Sequence, residues 1–169
     1  MELPKRKPTR LKNYDYTSKG AYFITICTKD RMELLSKILV GQGLAPAEYK
    51  LTKYGKIAKS QIELLKERYT TIRIDNYVIM PNHIHLLISV PNDSAGASPC
   101  PTISDVICTF KSCTTIECRR NGLFFKSLFQ SSFYDHIIRD DADYQKIWQY
   151  IDTNVARWEE DKLYTKRSQ

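Results

Sequence analysis

Long apolar runs are missing from this sequence. No uninterrupted apolar stretch approaches the roughly 18 residues that a membrane-spanning helix needs. The basic, proline-containing start from Met1 to Tyr16 is followed by no apolar segment of the kind that makes a signal peptide. We therefore expect no membrane association and a cytoplasmic location.

The cysteine pattern also excludes two classes of protein. The five cysteines are odd in number and include no Cys-x-x-Cys pair. Cys108, Cys113 and Cys118 recur every five residues, which turns each by about 140° from the last on a helix, so they share no face. A zinc cluster and a disulfide framework are both disfavoured, and reduced thiols used as small apolar residues are the better interpretation.

Acidic residues are outnumbered by basic ones. The 19 Asp and Glu against 26 Lys and Arg give a formal net charge of +7 over 169 residues. This excess favours a polyanionic partner, with nucleic acid ahead of a membrane surface. The length suits one domain and is too short for a (β/α)8 barrel. We expect a basic arm at residues 1–19, one folded domain at 20–164 and a short tail at 165–169.

Histidine is scarce, and two of the three histidines lie together. His83 and His85 fall in the stretch from Asn76 to Val90, whose Ile, Leu, Val and Tyr content predicts β-structure. Alternation along a strand places both imidazoles on one face and Ile84, with its even-numbered neighbours, on the other. The pair is half of a metal site. A hydrogen-bonded pair on a half-buried face is at least as good an interpretation, because two ligands do not complete a site.

Periodicity predicts four strands and three helices. The strands are Ala21 to Thr28, Ile72 to Met80, His83 to Val90 and Phe133 to Arg139, with Pro81-Asn82 as a tight hairpin turn. The helices are Leu51 to Arg68, a helix from a capping box at Thr102 to a stop at Asn121-Gly122, and a helix capped by Asp140 or Asp141 with the apolar stripe Tyr144, Ile147, Trp148, Ile151 and Val155.

This order gives the fold class. The elements read β-α-β-β-α-β followed by a helix, an α+β ferredoxin-like arrangement of four antiparallel strands with a C-terminal addition. Helices are expected on one sheet face, and the other face is expected to be open. The segments Lys29 to Tyr49 and Pro91 to Pro101 are predicted to be irregular.

The last helix offers two further candidates. Tyr150 and Asn154 are four residues apart and therefore on the same side, beside the apolar stripe. Asn154 is a candidate third metal ligand and Tyr150 a candidate nucleophile. The alternative is a boundary tyrosine with a hydrated hydroxyl and an asparagine near a helix end, which is the more common situation.

Several segments of the sequence resemble those of a known family. G-A-Y-F-I-T-I-C-T, P-N-H-I-H-L-L-I, T-F-K-S-C-T-T, and F-Y-D-H-I-I-R followed by D-Y-Q-K-I-W-Q-Y-I-D-T-N are similar to the HUH single-tyrosine transposases, specifically the REP-associated tyrosine transposase branch. The resemblance runs from about Lys19 to Tyr164.

The resemblance implies an activity. His83, His85 and Asn154 would hold Mg²⁺ or Mn²⁺, and Tyr150 would attack single-stranded DNA beside a folded, REP-like hairpin. The cut leaves a 5′-phosphotyrosine and a free 3′-OH, and the step can be reversed to join strands. The family includes homodimers and monomers, and nothing in this sequence decides between them.

Two positions depart from the family pattern. Relatives commonly carry Trp-Gln-Arg before the fourth strand, where this chain has Phe129-Gln130-Ser131, and Asn-Pro after the tyrosine, where it has Asn154-Val155. The first change removes a cation that would help to position DNA. Activity with altered specificity and a copy reduced to binding are therefore both open.

Further DNA contacts are predicted outside the metal site. Candidate phosphate ligands are the Lys and Arg residues of the basic arm, together with Lys111, Arg119 and Arg120. Candidate stacking rings, if exposed, are Tyr22, Phe23 and Phe133. Ordinary solvated charges and core aromatics are equally good interpretations, and His136 is expected to be structural.

Two other functions compete with the transposase interpretation. One is a non-catalytic single-stranded nucleic-acid-binding module that uses the open sheet face. The other is a zinc hydrolase, for which the sequence nominates no clear further ligand or base.

Overall fold

The computed structural model describes residues 20–39, 48–91 and 101–164. Its elements in chain order are β1 (Gly20–Cys27), β2 (Ser36–Leu39), β3 (Glu48–Leu51), α1 (Lys53–Arg68), β4 (Arg73–Ile79), β5 (His83–Val90), α2 (Ile103–Arg120), β6 (Tyr134–Ile138) and α3 (Asp141–Thr153). Short 3-10 turns occur at Lys29–Arg31 and Trp158–Glu160. The predicted arm, the tail and most of the loop from Pro91 to Pro101 lie outside the described residues.

The main sheet has the ferredoxin-like strand order. Its four strands run β4-β5-β1-β6, and every neighbouring pair is antiparallel. The central pair is β1 and β5, with Cys27 opposite His83 and Thr25 opposite His85. The α+β fold class, the four strands of this sheet and the three helices predicted from the sequence are confirmed, with boundaries within two residues of those expected.

The helices start where the capping signals predicted. The Thr102 side chain accepts from the Asp105 backbone N–H while the Asp105 carboxylate accepts from the Thr102 N–H, which completes a capping box at α2. The Asp140 side chain accepts from the Asp143 N–H at the start of α3. These side chains supply acceptors that the first turn of a helix otherwise lacks.

Alternation in β5 divides the core between two sheet faces. Ile84, Leu86 and Ile88 belong to the larger apolar cluster, together with residues of α1 and α2. Leu87 belongs to a second cluster on the face that also carries the histidines, together with Ile151 of α3. The helices α1 and α2 therefore cover one face, and α3 packs on the other.

The expectation of an open second face is wrong where α3 lies. Ile151 is 2% exposed, and Ile147 and Val155 are partly buried against the same cluster. Trp158, in the segment after α3, is also buried there. Burial of this apolar stripe removes hydrocarbon surface from water, which is why the helix closes over the sheet instead of standing away from it.

A second, two-stranded sheet lies between β1 and α1. The segment Lys29 to Tyr49 was predicted to be irregular, and this is wrong because β2 and β3 pair there in antiparallel register. The hairpin is tied to the main sheet where the Tyr49 hydroxyl donates to the Ile79 carbonyl over 2.8 Å. Each strand has only four residues, too few for an alternation pattern to stand out in the sequence.

The cysteines are thiols in the part of the chain that the structure describes. Cys27, Cys108, Cys113 and Cys118 are free. Cys27 and Cys118 are buried, which fits their interpretation as small apolar residues, whereas Cys108 is exposed. Among the described residues, no helix is both long and apolar enough to cross a membrane.

Candidate metal centre and nucleophile

The two histidines of β5 face each other. Their Nε2 atoms lie 3.0 Å apart, and the side chains are 0% and 3% exposed for His83 and His85. Each ring is fixed through its other nitrogen: His83 Nδ1 lies 2.8 Å from Asn82 Oδ1, and His85 Nδ1 lies 2.9 Å from Thr25 Oγ1. Such contacts orient imidazoles for metal ligation from the outer side of the ring.

The hydrogen bonds of Asn82 determine the tautomer of His83. The Asn82 amide nitrogen donates to the Leu163 carbonyl over 2.8 Å, so its Oδ1 is the atom that faces His83. Because this oxygen can only accept, His83 Nδ1 carries the proton and Nε2 presents a lone pair. When His85 Nδ1 donates to Thr25, its Nε2 presents a second lone pair, and the two converge as in a metal site.

The last turn of α3 brings the other two predicted residues to the same place. The Tyr150 hydroxyl lies 3.5 Å from His85 Nε2, and its ring is 5.3 Å from the His85 ring, centroid to centroid. Asn154 directly follows α3 and is 3% exposed. The structure therefore brings all four sequence-predicted residues, His83, His85, Tyr150 and Asn154, into one site.

A fifth residue of the site was missed by the sequence analysis. His83, His85 and Asp161 offer ligand atoms that all lie within 4.8 Å of one another. Asp161 Oδ2 accepts from the Tyr150 hydroxyl over 3.1 Å and from Asn154 Nδ2 over 3.3 Å. Asp161 lies eight positions beyond the end of α3, directly after the 3-10 turn Trp158–Glu160, so the periodicity of α3 does not place it. Only the turn after α3, which returns the chain to the sheet, reveals it.

Burial controls the electrostatics of the site. Desolvation lowers the pKa of both His83 and His85 to about 3, so both imidazoles are neutral at physiological pH. Burial and the neighbouring Asp161 carboxylate raise the pKa of Tyr150 to about 12, so its phenol is fully protonated when the site holds no cation. Neutral imidazoles are ready ligands. The nearby Arg157 lowers the pKa of Tyr150 but does not offset burial and Asp161, so further positive charge is needed to activate the phenol.

The residues present fit a divalent cation. Asn154 Oδ1 is buried and has no hydrogen-bond partner among the described residues, although its amide nitrogen is satisfied. A buried carbonyl oxygen without a partner is costly, and a cation would satisfy it. Two imidazoles, an amide oxygen and a carboxylate form a mixed nitrogen and oxygen donor set, which Mn²⁺ accepts more readily than Mg²⁺ does.

The predicted phosphate ligands lie elsewhere. Lys111, Arg119 and Arg120 belong to α2, on the sheet face opposite the histidines. Arg120 pairs with Glu117 at 3.2 Å, and the half-buried Lys111 donates to the Ser131 carbonyl over 2.7 Å. They remain predicted DNA contacts at a distance from the nucleophile.

The structure shows what surrounds the residues that depart from the family pattern, Phe129, Ser131 and Val155. Phe129 is buried in the larger core cluster and stacks near Phe110, with ring centroids 5.7 Å apart. Lys111 donates to the Ser131 carbonyl over 2.7 Å, which places a cation at this position. Val155 packs against the second apolar cluster under α3.

Of the three predicted base-stacking rings, two lie in the core and one lies at the site. Tyr22 is fully buried and Phe133 is 6% exposed, so neither is available to stack on a base. Phe23 instead stacks on His85, with centroids 4.9 Å apart and an interplanar angle of 29°. His136 lies 2.7 Å from Asp143 and so links β6 to α3.

A ferredoxin-like sheet with a His-x-His strand and a helix-borne tyrosine beside it is the architecture of the HUH single-tyrosine class. The sequence matches the family described as "Transposase IS200 like" over residues 16–154, and the chain belongs to this family.

Two proteins of one bacterium are similar to this chain over most of its length. An uncharacterized protein of Haemophilus influenzae is 34% identical over 94% of this chain and 93% of its own length. A second H. influenzae protein, named for the REP-associated tyrosine transposases, is 29% identical over 87% of this chain and 77% of its own.

A solved structure shares the fold. It is a REP-associated tyrosine transposase bound to a REP hairpin, with a TM-score of 0.63 and 22% identity over 90% of this chain and 77% of that one. The transposase family that the sequence suggested is thus confirmed, and a purely binding function is not favoured. The named relative and the solved structure are both REP-associated tyrosine transposases.

Proposed function

We propose that this protein is a metal-dependent single-stranded DNA endonuclease and strand transferase. It would cut beside a folded DNA hairpin and form a 5′-phosphotyrosine link to Tyr150. Its proposed location is the cytoplasm. Family membership supports DNA cleavage and joining in general. The observation that carries the finer proposal is the position of the Tyr150 hydroxyl, 3.5 Å from His85 Nε2 and 3.1 Å from Asp161 Oδ2.

The chemical step uses one side chain as the nucleophile. The Tyr150 phenolic oxygen forms a bond to phosphorus while the bond from phosphorus to the 3′-oxygen breaks. The phenol loses its proton, and the departing 3′-oxygen gains one and becomes a free 3′-OH. The phosphodiester energy is kept in the aryl ester, so attack by a 3′-OH reverses the step and no nucleotide cofactor is needed.

His83, His85, Asn154 and Asp161 would hold the cation, Mg²⁺ or Mn²⁺. When bound, such an ion offsets charge that builds on the phosphoryl oxygens and favours the phenolate form of the nucleophile. Asn82 and Thr25 hold the imidazoles in place, and Asp161 positions the Tyr150 hydroxyl. Stacking of Phe23 on His85 shields one side of the site from water.

The nucleophile serves its own subunit in this proposal. The Tyr150 hydroxyl and His85 Nε2 of a single chain already lie 3.5 Å apart. A partner chain is therefore not needed to complete the site, and a monomer would be active.

The test is formation of a covalent protein–DNA adduct. Single-stranded oligonucleotides with hairpins from the flanks of the gene are incubated with Mn²⁺ or Mg²⁺ and resolved on a denaturing protein gel. An adduct is expected with the wild-type protein and metal, and none with Tyr150→Phe, with His83→Ala or in EDTA.

Two matched controls keep the test specific. Tyr54→Phe removes a hydroxyl from α1 on the opposite sheet face, and His136→Ala removes the histidine that contacts Asp143. Both should form the adduct at the wild-type level. Hairpin binding with no adduct under any metal condition would contradict the proposal and point to a binding protein.

A further inference from the structure

A cleft of about 670 Å³ opens beside the Tyr150 hydroxyl. Part of its wall is the site already described: His85, Tyr150, Asn154 and Asp161. The remaining wall includes two aromatic rings, from Phe23 and Tyr134, and the cations Arg31, Lys146 and Lys162. The proposed metal chemistry uses none of Tyr134, Arg31, Lys146 and Lys162, yet all four line the same cleft as the nucleophile.

The aromatic part of the cleft comes from two neighbouring strands. Tyr134 begins β6 opposite Thr25 of β1, and it lies on the same sheet face as Ile138 of the second apolar cluster. Its side chain is 50% exposed, in contrast to Phe23, which is partly buried between His85 and Tyr150. A half-exposed ring fixed on a strand next to a nucleophile is a platform on which a base can stack.

The cationic part includes a residue in an unusual conformation. Asp30 and Arg31 have φ values of 53° and 54°, in the left-handed region that residues other than glycine rarely adopt. The Thr28 hydroxyl lies 2.8 Å from the Met32 carbonyl and 3.0 Å from the Asn82 carbonyl, which ties this turn to the start of β5. The fold thus holds Arg31 at the rim of the cleft, close to His83.

Some charged side chains of the cleft are paired with an opposite charge and others are not. Arg157 and Glu160 pair with each other at 2.8 Å and largely cancel. Arg31 and Lys146 form no ion pair with any residue in the described ranges, and Asp161 is engaged with Tyr150 and Asn154. An unpaired guanidinium in the same cleft as an exposed aromatic ring matches the two parts of a nucleotide, since phosphate prefers the first and a base face the second.

We infer that this cleft is a subsite for one unpaired nucleotide next to the bond that Tyr150 attacks, with its base stacked on Tyr134 and its phosphate bound by Arg31. The inference rests on the proposed function and adds a substrate requirement to it. The nucleotide must be unpaired, because in a duplex both faces of a base are covered by its neighbours. A volume of about 670 Å³ falls within the range of pockets that enclose a ligand of this size.

An abasic scan tests this subsite. The probes are gene-flank hairpins with a single-stranded tail, in which each tail nucleotide in turn lacks its base. Binding is measured with Mn²⁺ by fluorescence anisotropy in a Tyr150→Phe background, which leaves the DNA uncut. One tail position is expected to lose at least about fivefold in affinity, the effect of about 1 kcal/mol of stacking.

The second variant shows whether Tyr134 is responsible. Adding Tyr134→Leu should remove the loss at that one position, whereas Tyr134→Phe, which keeps the ring, should preserve it. Arg31→Gln should weaken all probes alike and reduce the slope of log affinity against log salt by about 0.7, the value for one phosphate of a single strand. Arg68→Gln, the same charge change on α1 and so on the opposite sheet face, should not.

Failure of the subsite and failure of the proposed function are distinguishable. A flat scan, an unchanged loss in Tyr134→Leu, or no binding of any tailed hairpin would overturn the subsite. If the wild-type protein still forms the covalent adduct in that case, the proposed chemistry stands. A position-specific loss that depends on Tyr134, without any adduct from the wild-type protein, would support the subsite and contradict the nuclease.

Discussion

The Tyr150 hydroxyl donates to Asp161 Oδ2 over 3.1 Å, and the same carboxylate oxygen lies 3.9 Å from His83 Nε2. One carboxylate therefore contacts the nucleophile and faces the histidine pair. Its side chain is 2% exposed, so its charge is poorly screened by solvent. This relationship links metal binding to the protonation state of Tyr150. Burial and the charge of Asp161 keep the phenol protonated, and a cation held by the histidines would partly neutralise that charge.

Replacement of Asp161 by asparagine should weaken metal binding. The change keeps the size of the side chain and removes one negative charge from the site, so we expect Mn²⁺ affinity to fall by roughly tenfold or more. Calorimetric titration of the purified protein with Mn²⁺ measures this. Glu160→Gln makes the same charge change at a residue already paired with Arg157, and it should leave the affinity close to that of the wild type. Equal affinities for wild type and Asp161→Asn would show that Asp161 is not a ligand.

Use of Tyr150 within one chain can be tested by mixing two inactive variants. Tyr150→Phe retains the histidines and His83→Ala retains the tyrosine, so a site shared between two chains would be restored in some mixed dimers. Because Tyr150 lies 3.5 Å from His85 of its own chain, we expect the mixture to form no adduct. Recovery of adduct toward a quarter or more of the wild-type level on mixing would instead mean that the tyrosine acts on a partner's metal.

Acid should destabilise the metal-free protein through the buried histidines. Their pKa values are about 3 in the folded protein and near 6.5 in the unfolded chain, so below pH 6.5 the unfolded state binds protons that the folded state does not. The stability is fully present above pH 6.5 and is lost as the pH falls toward 3. The loss approaches roughly 1.4 kcal/mol per pH unit for each imidazole.

Urea unfolding in EDTA at pH 7.5, 6.5 and 5.5 measures this dependence. His85→Gln should remove about half of the slope. A stability that does not change across this range would mean that the imidazoles are charged, or accessible to water, in the folded protein.

The sequence was sufficient for the sheet, the helices and four of the five site residues, for identifiable reasons. Strand alternation fixes the face of His83 and His85, and the four-residue spacing on α3 fixes Tyr150 and Asn154 together. Both are local patterns. Capping residues likewise mark helix starts because the bonds that they satisfy are within three positions of them.

What the sequence did not show depends on contacts between distant positions. Asp161 is brought to the site by a turn that is held by the buried Trp158 and by a hydrogen bond from Asn82, 81 residues before Leu163 in the chain. The pairing of β2 with β3 involves strands of four residues, too short for a pattern. The closing of α3 over the sheet follows from burial of Ile151 against Leu87, and a helical stripe alone does not say which surface it will cover.

The contact between α1 and the segment before β2 makes Gly55 a sensitive position. A Cβ built on Gly55 would lie 1.9 Å from the Leu35 carbonyl oxygen, which is far inside van der Waals contact. That oxygen is not free to move, because it accepts from the Thr52 N–H over 2.9 Å and from the Thr52 hydroxyl over 3.0 Å. Gly55→Ala must therefore shift α1 or break both hydrogen bonds, although alanine is the better helix former.

We expect Gly55→Ala to destabilise the protein by about 3 kcal/mol, at the upper end of the usual cost of overpacking. Thermal or urea unfolding measures this, and Ser60→Ala, at an exposed position of the same helix, should be neutral or slightly stabilising. The effect reaches the site indirectly, since the Leu35 N–H donates to the Pro81 carbonyl two residues before His83. A Gly55→Ala protein as stable as the wild type would mean that α1 does not approach Leu35 as closely as described.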